Sequence, residues 1–289
     1  MAFEAGLLPG FVITFRESLE VALVLGIILG YLAKNKLAKH NSVVYAGLGA
    51  GITASLIAAF FFVSLTGGFE GTAEQIFEGV TMFAGAALMT TMIVWMMGQK
   101  RMAEGIRHGI ETKLSGGYKH GLFLLVFFSV LREGVETVIF LGTVSFSSTH
   151  TATLLGALIG ITAAAALGYL LFVSSIKLNV GLFFSATNFI LILFAAGLVA
   201  QAAHEFSEAK ILPPIIEKVW DINPPLNPDG TYQLMHDEGA IGQVMHSFFG
   251  YRASPSLLEL ISYASYLAIV LILVFRAKGK AQQSKPRAR

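Results

Sequence analysis

Cysteine is absent from this chain, and charged residues are scarce. The lack of cysteine excludes disulfide bonds, thiolate metal ligands and a cysteine nucleophile. Charged residues make up 13% of the sequence and hydrophobic residues 55%, whereas a soluble domain carries about 25% charged residues. This composition excludes a disordered chain and argues against a soluble globular enzyme.

Long apolar runs are abundant instead, and each has roughly the 20 residues that a helix needs to cross the hydrocarbon core of a bilayer. Each run must be helical in lipid, because a helix satisfies its own backbone hydrogen bonds. We therefore predict an all-α, polytopic membrane protein with seven transmembrane helices, forming a single transmembrane domain over residues 1–289. The predicted spans are 7–33, 43–65, 74–98, 120–146, 151–174, 181–203 and 255–276.

The long connection before the seventh helix differs in composition from the spans. Residues 206–254 contain five of the eight prolines, which is typical of an irregular aqueous loop. We predict that this segment is an extracytoplasmic loop, that 255–276 is the seventh helix, and that 277–289 is a basic cytoplasmic tail.

Positive charge is concentrated in alternate connections. Fifteen of the 20 Lys and Arg residues lie in the loops after the first, third and fifth spans and in the tail. The positive-inside rule then places the N-terminus outside and the C-terminus inside, in the cytoplasmic (inner) membrane. Topology and anionic membrane lipid explain the basic tail, so we expect no nucleic-acid partner.

Acidic residues accumulate on the opposite side. Twelve of the 18 Asp and Glu residues lie in the predicted outer connections or at outer helix ends. A negatively charged mouth raises the local concentration of cations. The alternative is a solvated acidic loop without a transport role.

Two copies of the pattern R-E-x-x-E lie inside apolar spans. Arg16, Glu17 and Glu20 lie in the first span, and Arg132, Glu133 and Glu136 lie in the fourth. At 1.5 Å per residue the two arginines are about 14 and 18 Å deep, which is near the midplane of a core about 30 Å thick. Each such charge costs at least about 2.5–3.5 kcal/mol, so the six charges need an explanation.

Helical spacing supplies part of that explanation. The two glutamates of a motif are three residues apart and share a face of the helix. The arginine precedes the second glutamate by four residues, so it can neutralise one carboxylate within its own helix. Two facing motifs then offer four carboxylates with two residual negative charges, which suits a hard cation. The alternative is a structural ion pair that locks two helices without a cation.

The order of the spans also predicts internal symmetry. The first and fourth spans cross in opposite directions, so residues 1–98 and 120–205 form two inverted three-helix repeats, as in many secondary transporters. Both third spans carry polar residues toward the outer side. We predict that these residues form a cation relay from the mouth to the midplane: Glu70, Glu74, Glu78, His204, Glu205 and Glu208.

These motifs resemble those of the oxidase-dependent high-affinity iron permease family, and the size resembles its bacterial EfeU-type members. The resemblance covers nearly the whole chain and includes both R-E-x-x-E motifs, residues 74–79 and residues 204–208. It implies that Glu17, Glu20, Glu133 and Glu136 coordinate iron beside Arg16 and Arg132. It also implies an extracytoplasmic partner that oxidises or delivers the iron. Two departures are Ser18 and Lys210, where the family commonly has glycine.

We therefore predict a permease that imports iron, expected to be ferric, with no permanently bound cofactor and no enzymatic activity. Membrane lipid surrounds it, and small-residue pairs such as Gly26/Gly30, Gly47/Gly51 and Gly156/Gly160 fit packing either within the chain or in a homo-oligomer. Alternatives are transport of another hard divalent cation such as manganese, or of protons. A di-iron enzyme is disfavoured because neither motif supplies the histidine typical of such bundles. A structural membrane scaffold is a further alternative.

Overall fold

A computed structural model describes residues 6–98, 119–146, 148–173, 180–213 and 215–283. The described part is all-helical and contains eight α-helices and one short 3-10 helix at Ala38–His40. This confirms the predicted all-α class. The helices are α1 (Leu7–Lys34), α2 (Asn41–Thr66), α3 (Thr72–Gly98), α4 (Lys119–Phe146), α5 (His150–Val173), α6 (Val180–Glu208), α7 (Ala240–Phe249) and α8 (Leu257–Gln283).

Five of these helices, α2, α3, α5, α6 and α8, are long and apolar enough to cross a membrane. Helices α1 and α4 have 28 residues each, but every 18-residue window in them contains at least three charged residues. The R-E-x-x-E motifs supply most of that charge. The protein is therefore a multi-pass membrane protein, and its two motif helices are more polar than the five helices that qualify as membrane spans.

The helix boundaries differ from the predicted spans mainly toward the C-terminus. Helix α6 continues to Glu208, and the segment predicted as an irregular loop contains the ten-residue helix α7. Helix α8 continues to Gln283, into the segment predicted as a tail. Apolar run length alone misses these extensions, because an amphipathic helix and a helix emerging into water both contain polar residues.

Close glycine contacts join two parallel helix pairs. Helix α5 packs so closely along α1 that Cβ atoms added at Gly156 and Gly160 would clash with the Leu7 carbonyl oxygen and with Thr14 Oγ1, respectively. Helix α2 packs along α4 in the same way, with Gly47 and Gly51 against Val126 and Val130. These two glycine pairs therefore serve packing within the chain, and each brings a helix without the motif against a helix that carries it.

A third pair, α3 and α6, is antiparallel. Gly79 near the start of α3 lies against Phe206 near the end of α6, and Gly85 lies against Leu198. Helix α8 packs beside this pair, and Thr90 Oγ1 and the Tyr266 hydroxyl oxygen are 2.6 Å apart. Glu259 at the start of α8 lies 2.9 Å from His204 near the end of α6, so the start of α3, the end of α6 and the start of α8 lie at the same end of the molecule.

The contact between α1 and α5 predicts a position-specific effect of added volume. Gly160→Ala should lower the stability of the purified protein by about 1–3 kcal/mol, as overpacking typically does, because the new methyl group would meet Thr14 and the backbone of Phe11. Gly30→Ala is the matched control in α1, since nothing lies within 4 Å of its added Cβ. Thermal unfolding in detergent measures both, and equal melting temperatures for the two variants would contradict this packing.

Candidate functional site

The two R-E-x-x-E motifs meet between α1 and α4. Glu17 and Glu20 from α1 and Glu133 from α4 are all buried, and one carboxylate oxygen from each lies within 4.8 Å of the others. The i, i+3 spacing in α1 places its two carboxylates on one face of the helix. Helix α4 supplies the third carboxylate across the helix contact, so the set requires both motifs.

Arg16 is enclosed by this site. Its side chain is 0% exposed, its Nη1 donates to Glu17 Oε1 at 2.6 Å, and its Nη2 lies 2.9 Å from Glu20 Oε1. Nη1 also donates to the thioether sulfur of Met92 on α3 at 3.0 Å. Arg16 therefore neutralises its own helix's carboxylates at close range and in a low-dielectric environment.

Arg132 occupies a more open position. Its side chain is 47% exposed, its Nε and Nη2 donate to Glu133 Oε1, and its Nε lies 3.4 Å from Glu136 Oε1. The guanidinium carbon lies 5.2 Å from the centre of the Trp95 ring on α3, which is within cation–π range. The two motifs thus have the same sequence pattern but different surroundings.

Several buried carboxylate oxygens lack a hydrogen-bond donor in the described part of the chain. They are Glu17 Oε2, Glu20 Oε1, Glu133 Oε2 and Glu136 Oε2, of which Glu20 Oε1 still lies 2.9 Å from Arg16 Nη2 as an ion pair. A buried acceptor without a donor is costly, and a bound cation would satisfy these oxygens. Glu136 lies outside the set of three close carboxylates, so the structure brings together three of the four glutamates predicted to coordinate iron.

The polar residues predicted for the outer mouth form two groups. Glu78 lies close enough to Glu74 and Glu205 for mutual electrostatic repulsion. His204 Nε2 lies 3.0 Å from Glu208 Oε1, and Glu208 also accepts a hydrogen bond from Gln75. Glu70, by contrast, is exposed and precedes α3, so it lies outside the helix that carries Glu74 and Glu78.

The sequence prediction missed three residues beside this mouth. Glu259 at the start of α8 lies 2.9 Å from His204 Nδ1, and Arg252 Nη1 lies 3.4 Å from Glu259 Oε1. Burial, together with the Arg252 guanidinium, lowers the pKa of His246 to about 4, so its ring is neutral at neutral pH. Arg252 and His246 lie in the long connection after α6, and Glu259 follows it. The three residues share no motif, so only the folded chain shows their proximity to His204.

An apolar layer separates the residues predicted to form the mouth from the carboxylates of the two motifs. Along α3, Glu78 and Met92 are 14 residues apart, which corresponds to about 21 Å. Buried apolar side chains from four helices fill this interval: Ile13, Met82, Met89, Phe140 and Leu198. The predicted relay is therefore not a continuous line of polar groups in this structure.

Comparison with known proteins identifies similar sequences over almost the whole chain. Residues 7–278 match the model of the "Iron permease FTR1 family". A "Ferrous iron permease EfeU" of Escherichia coli O6:H1 (strain CFT073) is 31% identical over 280 residues, covering 95% of this chain and 98% of the relative. The protein of that name from Yersinia pestis is 30% identical and covers 92% of each chain.

An uncharacterized protein of Archaeoglobus fulgidus is 32% identical over 94% of this chain and 96% of its own length. No solved structure matches the chain. The similarity includes both motif helices and the outer mouth, because the matched region extends from α1 into α8.

Proposed function

This chain belongs to the iron permease FTR1 family, and from that premise we propose that it imports iron by binding it between its two R-E-x-x-E motifs. The observation that carries the proposal is the set of three buried carboxylates from two helices, with oxygens within 4.8 Å of one another. Carboxylate oxygens are hard ligands that suit iron better than they suit soft metals. The four motif glutamates and two motif arginines together leave a formal charge of −2, which favours a multivalent cation.

The names of the relatives bear on the oxidation state of the transported iron. The relatives from Escherichia coli and Yersinia pestis are named ferrous iron permeases. We infer that iron reaches the outer mouth as Fe(II) and that an extracytoplasmic partner oxidises it, accepting one electron per ion. Fe(III), the harder ion, then binds the carboxylates.

The helix contacts support an arrangement as two inverted repeats. The repeats are related by exchanging α1 with α4, α2 with α5 and α3 with α6. This exchange turns the parallel pair α1–α5 into the other parallel pair, α4–α2. The pair α3–α6 is unchanged by it. We infer that rocking of one repeat against the other separates the apolar layer and opens the site to the mouth, as in other transporters built from inverted repeats. Helix α8 lies outside this exchange.

The distribution of basic residues in the sequence gives the proposed orientation in the membrane. The outer mouth faces outward and the basic connections face the cytoplasm, in the cytoplasmic membrane. Acidic residues at the ends of α3, α6 and α8 then lie on the side from which iron arrives.

Neutralising the mouth should weaken the capture of iron without removing the site that binds it. In the Glu74→Gln/Glu78→Gln double variant we expect the half-saturation concentration for iron uptake to rise about 2- to 10-fold, because a lost surface charge mainly slows association. The maximal rate should change little. Uptake kinetics at low and high ionic strength measure this, and Glu217→Gln in the exposed loop is the control. Unchanged half-saturation in the double variant would contradict a role for these two residues.

Substrate identity is tested by metal competition in proteoliposomes. Radioactive iron should accumulate in vesicles that contain the protein and not in empty vesicles, and a tenfold excess of Mn(II) should leave this accumulation intact. Complete competition by Mn(II), with manganese accumulation of its own, would favour the alternative of a general divalent-cation transporter. Uptake of chelated Fe(III) without a partner, compared with Fe(II), tests the oxidation step separately.

A further inference from the structure

The two motif arginines differ in their freedom to move, and we propose that Arg132 is the mobile counter-charge of the site. When a cation binds, Arg132 leaves Glu133 and its guanidinium moves onto the face of the Trp95 ring, while Arg16 stays in place. This inference rests on the proposed binding of iron between the motifs. It assigns a positioning role to Trp95, a residue outside both motifs.

Arg16 has the environment of a fixed charge. Its side chain is fully buried, and Glu17, Glu20 and Met92 contact its two terminal nitrogens within 2.6 to 3.0 Å. A guanidinium that leaves such a position must first lose two carboxylates in a dry interior, which is strongly unfavourable. We therefore infer that Arg16 reduces the charge of the site in both the empty and the loaded states.

Arg132 has the environment of a charge that can move. Nearly half of its side chain is exposed, while Glu133 beside it is 7% exposed. An exposed guanidinium at membrane depth is stable only beside water or polar groups. Water in the opening around Arg132 would satisfy its exposed donors, and the opening allows the side chain to rotate without crossing the packed interior.

A bound cation changes the balance of forces on Arg132. In the empty site its donors go to Glu133, which also belongs to the set of three close carboxylates. A cation that takes Glu133 as a ligand removes this partner and repels the guanidinium. The face of Trp95 is already 5.2 Å away, and an aromatic face attracts a guanidinium more strongly at closer range. Trp95 therefore stabilises the loaded state more than the empty state, which is the condition for an effect on affinity.

Helix α3 places both arginine contacts on one face. Met92 and Trp95 are at i and i+3, so the thioether that contacts Arg16 and the ring that contacts Arg132 lie on adjacent turns. The same helix carries Glu74 and Glu78 at the mouth. A shift of α3 would thus alter the mouth and the contact of Arg132 together.

The test compares Trp95→Leu, Trp95→Phe and the control Phe83→Leu in iron uptake by proteoliposomes. Trp95→Leu should raise the half-saturation concentration about 2- to 5-fold, corresponding to the loss of a partly exposed cation–π contact. Trp95→Phe should recover part of this loss, because it keeps an aromatic face. Phe83, which is 56% exposed on the same helix, offers no contact to an arginine among the described ring contacts, and Phe83→Leu should match the wild type.

Two results would overturn the role of Trp95. One is a half-saturation concentration for Trp95→Leu equal to that of Phe83→Leu. The other is a fall in maximal rate and melting temperature with unchanged half-saturation, because that pattern indicates packing alone. A parallel measurement of Glu133→Ala separates this inference from the proposed function. Normal uptake by Glu133→Ala would remove the proposed site itself, whereas lost uptake by Glu133→Ala with unaffected Trp95→Leu would remove only the role of Trp95.

A spectroscopic readout follows the ring directly. The chain has two tryptophans, so Trp220→Phe leaves Trp95 as the reporter. Equilibrium dialysis measures how much Zn(II) binds at each concentration. The fluorescence emission of Trp95 should change over the same range of Zn(II) concentrations in which binding occurs. Bound Zn(II) with unchanged emission would contradict the movement of Arg132 onto the ring.

Discussion

Arg16→Gln is expected to lower the stability of the protein by about 3–5 kcal/mol, the usual cost of breaking a buried ion pair. The variant leaves Glu17 and Glu20 in the interior without the guanidinium that now lies 2.6 and 2.9 Å from them. Thermal unfolding of the purified protein in one detergent, with folded yield as a second measure, would show this loss.

Arg132→Gln is the matched control for this prediction, because it removes the same group from the second motif. Its loss should be smaller, since the side chain is 47% exposed and water can replace part of the interaction. Adding Glu20→Gln to Arg16→Gln should recover part of the lost stability by removing an unpaired charge. A larger loss for Arg132→Gln than for Arg16→Gln would contradict the assignment of the buried and the exposed arginine.

Glu133→Gln is expected to weaken iron binding by more than roughly 100-fold, while the neighbouring Glu136→Gln should weaken it by roughly 10-fold. Changes in groups that only orient metal ligands typically cost about 10- to 100-fold in affinity, and the loss of a ligand should exceed this range. Glu133 belongs to the set of three close carboxylates and Glu136 does not. Both substitutions remove one charge from the same motif, so a difference between their effects on affinity reflects the position of the glutamate and not the lost charge.

Equilibrium binding of radioactive iron to purified protein in detergent measures both affinities. Glu238→Gln in the outer loop is a suitable control for a charge lost far from the motifs. Equal effects of Glu133→Gln and Glu136→Gln would indicate that net charge alone determines binding, and would contradict the three-carboxylate arrangement.

Much of the architecture follows from local sequence signals. Apolar run length predicts the long helices, and the i, i+3 spacing predicts that Glu17 and Glu20 share a face. The expectation that the two motifs meet rests on the cost of six charges in an apolar interior, and the structure brings carboxylates of both motifs within 4.8 Å. These features were predictable because each depends on short-range periodicity or on the dielectric environment.

Other features depend on contacts between distant segments. The pairing of Gly156 and Gly160 with α1, rather than with a second copy of the chain, follows from tertiary packing. The same holds for Glu259 beside His204, and for Met92 and Trp95 beside the arginines. The matched motifs predict equal roles for Arg16 and Arg132, whereas the side chain of Arg16 is fully buried and that of Arg132 is 47% exposed.

Radioactive iron uptake into proteoliposomes by the wild type and by Glu133→Ala shows whether iron passes through the paired motifs. Iron is presented as Fe(II) and as chelated Fe(III), and equal amounts of folded protein are reconstituted. We predict that the wild type accumulates iron and that Glu133→Ala does not, because the mutant lacks the carboxylate that α4 contributes to the site. Equal uptake by the two proteins would exclude Glu133 from the transport path and would leave the paired motifs as a structural ion-pair lock.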